Sequence, residues 1–260
     1  MIHNINPIFL DIGFLQIRYY GLMYLAGLLL GYIFLHYFSK NDKSFPLKKE
    51  EIQDFIFWVF LGVIIGGRLG MVLFYNPLFY LTHPIEIIAI WKGGMSFHGG
   101  LLGVAIVSLL YCKSKKINPL VLADYLVIPA SIGLMFGRIG NFLNGELWGR
   151  ISNLPFCIDY SQNKYIHFPP DGCRHPSQIY EALENLITFF MLMFAYKTWH
   201  QRKPGTLFFL FLILYGTLRS LVELVREPSW VYLNITAGQW LSLPLILIGI
   251  IGIIKVNKQN

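Results

Sequence analysis

Charge is what this sequence has least of. Lysine, arginine, aspartate and glutamate make up 13% of its 260 residues, 21 basic and 14 acidic, against about 25% in a soluble domain. So few ionised side chains cannot cover the water-facing surface of a chain this long, and 55% apolar residues exclude a disordered one. Cysteine is as scarce, with Cys112, Cys157 and Cys173 the whole supply. No C-x-x-C spacing and no neighbouring histidine cluster accompanies them, so neither a disulfide mini-scaffold nor a metal centre is expected. No cleavable secretory leader is expected either, because residues 1–17 hold no lysine or arginine and no long apolar core before a small-residue cleavage site. The first span should therefore act as its own insertion signal.

Long apolar runs are present instead, and mean hydropathy is +0.53. A bilayer core needs about 20 apolar residues per helix. Seven stretches approach that length: 20–38, 52–75, 97–112, 121–142, 179–196, 206–225 and 237–254. Residues 84–94 are apolar but too short, and Pro84 and Gly93-Gly94 bound them, so an interfacial or re-entrant piece is expected there. The expected fold is an all-α polytopic membrane protein of about seven transmembrane helices, a single transmembrane domain over residues 1–260. The longest polar connection, 144–176, should form a small periplasmic head between the fourth and fifth helices. Cys157 and Cys173 both fall in it, as a disulfide or as two free thiols.

Lysines and arginines obey different rules. Eleven of the thirteen lysines follow the first, third, fifth and seventh spans, which makes those ends cytoplasmic and places the N-terminus outside. Among the arginines only Arg202 joins the lysine clusters; Arg18, Arg68, Arg138, Arg150, Arg174, Arg219 and Arg226 lie within spans or toward the outer side. A planar, permanently charged fork suits phosphate and carboxylate, so the set points to a phosphate-bearing ligand. Ion pairs with Asp124, Glu146 or Glu223 that merely join helices are the structural alternative for any one of them.

Arg138 and Asn141 stand three apart and share a helical face at a depth where an unpaired charge costs about 2.5–3.5 kcal/mol. Arg219, Glu223 and Arg226, at i, i+4 and i+7, are expected on one face of the sixth span, a cationic lining partly neutralised by Glu223. His98 sits between two Gly-Gly breaks, where backbone freedom would let a substrate approach, and histidine is the side chain type best suited to moving protons near neutral pH. Tyr20 could donate to a phosphate oxygen or anchor at the interface.

The stretch 137–150, GRIGNFLNGELWGR, resembles the signature of bacterial prolipoprotein diacylglyceryl transferases. Supporting blocks are YYGLMY at 19–24, LGVIIGGRLGMVLFYN at 61–76, GGMSFHGGLLGV at 93–104, RHPSQIYE at 174–181 and YGTLRSLVELVREP at 215–228, so the resemblance covers almost the whole chain. It implies a seven-helix inner-membrane enzyme that moves the diacylglyceryl group of phosphatidylglycerol to the thiol of the lipobox cysteine in a preprolipoprotein signal peptide, releasing glycerol 1-phosphate. The functional positions it implies are Tyr20, His98, Arg138, Asn141, Gly149 and Arg219, with Glu146, Glu223 and Arg226 in support. No cofactor is implied. The expected mechanism has Arg138 and Arg219 clamping the phosphate, His98 taking the thiol proton, Asn141 and Tyr20 orienting the headgroup, and Glu223 holding Arg219.

A transporter of an anionic or lipid substrate is the alternative class, but no symmetry relates the two halves of the chain. An intramembrane protease would need a Ser or Asp dyad, and the Gly-rich stretch lacks the G-K-[ST] of a nucleotide loop. Inner-face lysines and outer arginines account for the net charge of +7 without invoking nucleic acid.

Overall fold

Each apolar run becomes a helix, and most helices overrun the apolar core. The computed structural model describes residues 1–13, 16–90 and 93–258. Helices α1 (Tyr19–Asn41), α2 (Lys49–Phe74), α4 (Phe97–Lys115), α5 (Pro119–Asn144), α6 (Ser177–Thr198) and α8 (Ala237–Lys258) are long and apolar enough to cross a membrane. The overrun comes from capping and interfacial residues that continue the hydrogen-bond ladder after the apolar pattern stops. Helix α7 (Thr206–Val222) is the exception and is shorter than its run. Between α2 and α4 lie the short helix α3 (Pro77–Thr82) and a 3-10 turn, Pro84–Ile87, too short to cross. Three small antiparallel hairpins complete the described residues: β1 (Ile8–Asp11) with β2 (Gln16–Arg18), β3 (Ile158–Asp159) with β4 (Cys173–Arg174), and β5 (Val231–Tyr232) with β6 (Ile235–Thr236).

The chain forms two compact units, one of Met1–Phe34 with Ala123–Asn260 and the other Leu35–Leu122. In the second unit α2 packs on α4 through small residues. A Cβ on Gly103 would collide with the carbonyl of Gly62, and one on Gly70 would lie 2.7 Å from the Cα of Gly99. Backbones that close require glycine, the usual device where lipid supplies no hydrophobic drive to hold helices together. Ser96 opens α4 by accepting from the Gly99 amide at 3.2 Å. Arg68 of α2 donates to the carbonyls of Ile87 at 2.9 Å, Gly93 at 2.6 Å and Gly94 at 3.0 Å, and also to Glu86. It is a backbone clasp on the short segment rather than part of a phosphate lining.

In the first unit α6 packs on α7 and α7 on α8. Asp124 accepts from the Gly205 amide and the Phe208 amide, both at 2.8 Å, and so caps α7, with the charge of Arg202 also acting on it. The polar connection after α5 folds as a head, closed by a disulfide between Cys157 and Cys173. The first residues of the chain join it: His3 N–H donates to Asp159 O at 2.8 Å and Asp159 N–H to Met1 O at 2.7 Å.

His3 is buried in this head, its Nε2 2.8 Å from the Phe142 carbonyl and its Nδ1 2.7 Å from the Asn163 amide nitrogen. One ring nitrogen donates and the other accepts, which is the neutral tautomer, and burial lowers the His3 pKa from its ordinary 6.5. A base held neutral on folding binds fewer protons folded than unfolded, so stability falls as pH drops below about 6.5. The protection factor of the Asp159 amide, its exchange rate corrected for the intrinsic pH dependence, should fall between neutral pH and about pH 5.5, and a His3→Leu protein should lack that acid limb.

Candidate active site

The C-terminal ends of α5 and α7 and the N-terminal half of α6 carry a cluster of buried charged residues in the first unit. Glu181 of α6 is fully buried and holds two arginines, pairing through Oε2 with Arg138 Nε at 2.8 Å and through Oε1 with Arg226 NH1 at 2.6 Å. Arg219 of α7 pairs with Glu223, one turn on, at 2.5 Å, and Glu223 also accepts from the Gly238 amide at 3.3 Å. Three guanidinium groups are thus collected on two carboxylates among apolar spans. Each arginine keeps donors beyond those its glutamate uses, because a guanidinium carries five.

Arg138 also reaches Asn141 Oδ1 at 3.4 Å, and Asn141 donates to Glu146 Oε1 at 2.8 Å. Tyr20 of α1 shares a hydrogen bond with the Tyr24 hydroxyl at 3.1 Å and comes within hydrogen-bonding reach of Asn141. A Cβ on Gly140 would lie 2.9 Å from the Tyr20 ring, so α5 is bare where α1 crosses it. Gln178 donates to the Glu146 carbonyl at 2.6 Å and fixes the turn after α5. Tyr20, Arg138, Asn141 and Glu146 therefore form one connected polar chain, and Glu181 extends it to Arg226.

Gly149 contributes space rather than a side chain. Its backbone runs between two neighbours, its N–H donating to His175 O at 3.0 Å, and it pairs with Arg226 in a β-bridge. A Cβ there would lie 2.6 Å from Val225 O and 2.7 Å from the His175 Cβ. Gly149→Ala should push the 225–226 segment away, draw Arg226 off Glu181, and cost both thermal stability and activity; the two should fall together in a melting curve and a turnover assay.

The expected i, i+4, i+7 face fails at its last member. Helix α7 ends at Val222, Glu223 is its C-cap, and Arg226 lies beyond it in the bridge to Gly149. The chain leaves the helix where Val225 O accepts from the Arg150 amide at 2.9 Å and Arg226 enters its bridge with Gly149. Arg226 still meets the site, through Glu181. Arg150 Nε donates to Arg226 O at 3.0 Å, and Arg174 NH1 donates to Gly149 O at 3.2 Å and pairs with the Glu227 carboxylate at 3.1 Å, so both are engaged outside the cluster on Glu181 and Glu223. His98 belongs to the other unit, exposed in the first turn of α4.

Glu181 was missed as a site residue, and Glu184 with it. Both lie in the apolar run 179–196, three apart, and the cost argument that singled out Arg138 applies to them equally. Ser177, Gln178, Glu181, Glu184, Asn185 and Thr188 are all buried, while Leu183, Ile187, Phe190 and Phe194 on the same helix are exposed. Helix α6 thus turns its polar face inward.

A profile of the family described as prolipoprotein diacylglyceryl transferase matches residues 7–255. A protein of Rickettsia bellii named phosphatidylglycerol–prolipoprotein diacylglyceryl transferase is 42% identical, over 99% of this chain and 97% of its own length. Similar proteins with that name come from Bordetella avium, 44% identical over 98% of this chain and 96% of theirs, and from Geobacter sulfurreducens, 42% identical over 99% and 97%.

Proposed function

The chain belongs to the prolipoprotein diacylglyceryl transferase family, and on that premise we propose that it transfers the diacylglyceryl group of phosphatidylglycerol to the cysteine thiol of a lipobox peptide. The observation that carries the reading is the set of Arg138, Arg219 and Arg226 gathered on Glu181 and Glu223 in an apolar surrounding. A phosphodiester carries one negative charge and its monoester product up to two. Donors fixed in place and shielded from water stabilise that growing charge most strongly.

In the reaction the thiol sulfur attacks the lipid glycerol carbon, the C–S bond forms, and the bond from that carbon to the phosphate oxygen breaks. The electron pair leaves with glycerol 1-phosphate, and Arg138 and Arg219 meet the charge it brings. A free thiol, with pKa about 8.5, is scarcely ionised near neutral pH, and His98 takes its proton. Arginine does not give up its proton, so its part is electrostatic. Asn141 and Tyr20 orient the headgroup. Glu146 holds Asn141, Glu223 holds Arg219, and Gly149 lets Arg226 approach.

The protein works in the bacterial inner membrane, with the N-terminus and the 144–176 head on the periplasmic side, the C-terminus in the cytoplasm, and the whole chain acting as one membrane domain; the distribution of lysines supports this orientation. Its partners are phosphatidylglycerol in the surrounding lipid and a lipobox-bearing signal peptide. Purified protein given labelled phosphatidylglycerol and a lipobox peptide should yield a thioether-linked lipopeptide, and none when the peptide cysteine is serine. Lipid movement without transfer would favour the transporter class instead.

A further inference from the structure

Glu184 and Asn185 take no part in that chemistry, yet both are buried, 4% and 1% exposed. Both carboxylate oxygens of Glu184 and the side-chain oxygen of Asn185 are without a hydrogen-bond partner. The Asn185 orientation is fixed, because its amide nitrogen donates to the Glu181 carbonyl at 2.6 Å. These acceptors belong to consecutive residues about one turn along α6 from Glu181, on its buried polar face. Leaving buried acceptors unmatched is costly, and no hydrogen bond reaches these, although Arg138 and Arg226 pair with Glu181 and Arg219 with Glu223 close by. Glu184 nonetheless interacts electrostatically with all three arginines, so it shares the field that would receive a lipid phosphate.

We propose that Glu184 and Asn185 form the subsite for the hydroxyls of a glycerol headgroup, and so select a lipid whose phosphate bears a diol. This rests on the proposed function, which puts the phosphate on Arg138 and Arg219. A glycerol headgroup has two hydroxyl donors immediately beyond its phosphate. Unpartnered carboxyl and amide oxygens beside a cationic cluster match that order of charge and donors: guanidinium groups take the phosphate, and the carboxyl and amide oxygens accept from the hydroxyls. A lipid with the same phosphodiester but no hydroxyls would leave these acceptors buried and unpaired, which is how a polar site rejects an analogue that lacks the group.

The test compares phosphatidylglycerol with phosphatidylpropanol of the same acyl chains, using the full-length protein. KM is read with the lipobox peptide present, and lipid binding is read without it. The native protein should favour phosphatidylglycerol by at least roughly tenfold in KM and in binding. Glu184→Leu should collapse that ratio, and Glu184→Gln, which keeps one acceptor oxygen, should fall between. A parallel change for both lipids, or an unchanged ratio, would overturn the subsite and leave Glu184 a structural residue. Should Glu184→Leu not fold, Asn185→Leu carries the same readout with the same two outcomes. Because the binding ratio needs no turnover, an inactive protein that still prefers the diol lipid would remove the transferase reading alone. An active protein with no preference would remove the subsite alone.

Discussion

Arg138→Gln should lower turnover with phosphatidylglycerol and a lipobox peptide by roughly a hundredfold to a thousandfold, with a smaller change in KM. The magnitude is that of removing one fixed donor from a site where negative charge develops. The split between kcat and KM follows from the chemistry, because the phosphate already carries one charge when bound and gains another only as the C–O bond breaks. Glutamine keeps the length and some hydrogen bonding while removing the charge. Arg138 is held by Glu181 at 2.8 Å on one side and reaches Asn141 at 3.4 Å on the other, so its position is determined by two partners. Steady-state kinetics over a range of lipid concentration would decide the matter; near-normal turnover would mean that the phosphate is stabilised elsewhere.

Glu181→Gln should be damaging in a different way. One carboxylate, fully buried, serves both Arg138 and Arg226. Removing its charge leaves two guanidinium groups without their counter-ion, and breaking a buried pair from one side costs about 3–5 kcal/mol. The protein should denature at a clearly lower temperature in detergent, and activity should fall with it because both arginines lose their anchor. Glu181→Asp retains the charge and should recover part of the stability. A Glu181→Gln protein as stable as the parent would show that the arginines are compensated by some other group.

These two residues also mark where the sequence could and could not be read. Apolar runs of bilayer length set out the helices because nothing but lipid tolerates them. Arg138 and Asn141 stood out because a charge in such a run is expensive. The same cost, however, has more than one remedy. Arg68 and Asp124 are equally buried, yet Arg68 is satisfied by carbonyls and Asp124 by amides 81 and 84 residues away, contacts that no local spacing foretells. The helical face drawn through Arg219, Glu223 and Arg226 assumed that the apolar run and the helix end together. Leu224 and Val225 continue the run, but Val225 O turns out to pair with the Arg150 amide at 2.9 Å and the helix has ended by then. Glu181 was legible by the rule that found Arg138. It was hidden because in α6 the charges are dispersed among Leu, Ile and Phe, with no glycine cluster to draw the eye. Gly149 could be placed only by resemblance, since its role depends on Val225 and His175, neither of them near it in sequence.

The central claim is that the arginines stabilise a departing phosphate while a thiol takes the lipid carbon. The most direct test uses phosphatidylglycerol carrying heavy oxygen in the bridge between the diacylglycerol carbon and the phosphorus, with the purified protein and a lipobox peptide. Cleavage of the C–O bond predicts that the label leaves entirely with glycerol 1-phosphate, in amount equal to the thioether formed. Label recovered in diacylglycerol, with no thioether, would mean that the P–O bond breaks instead and would contradict the account.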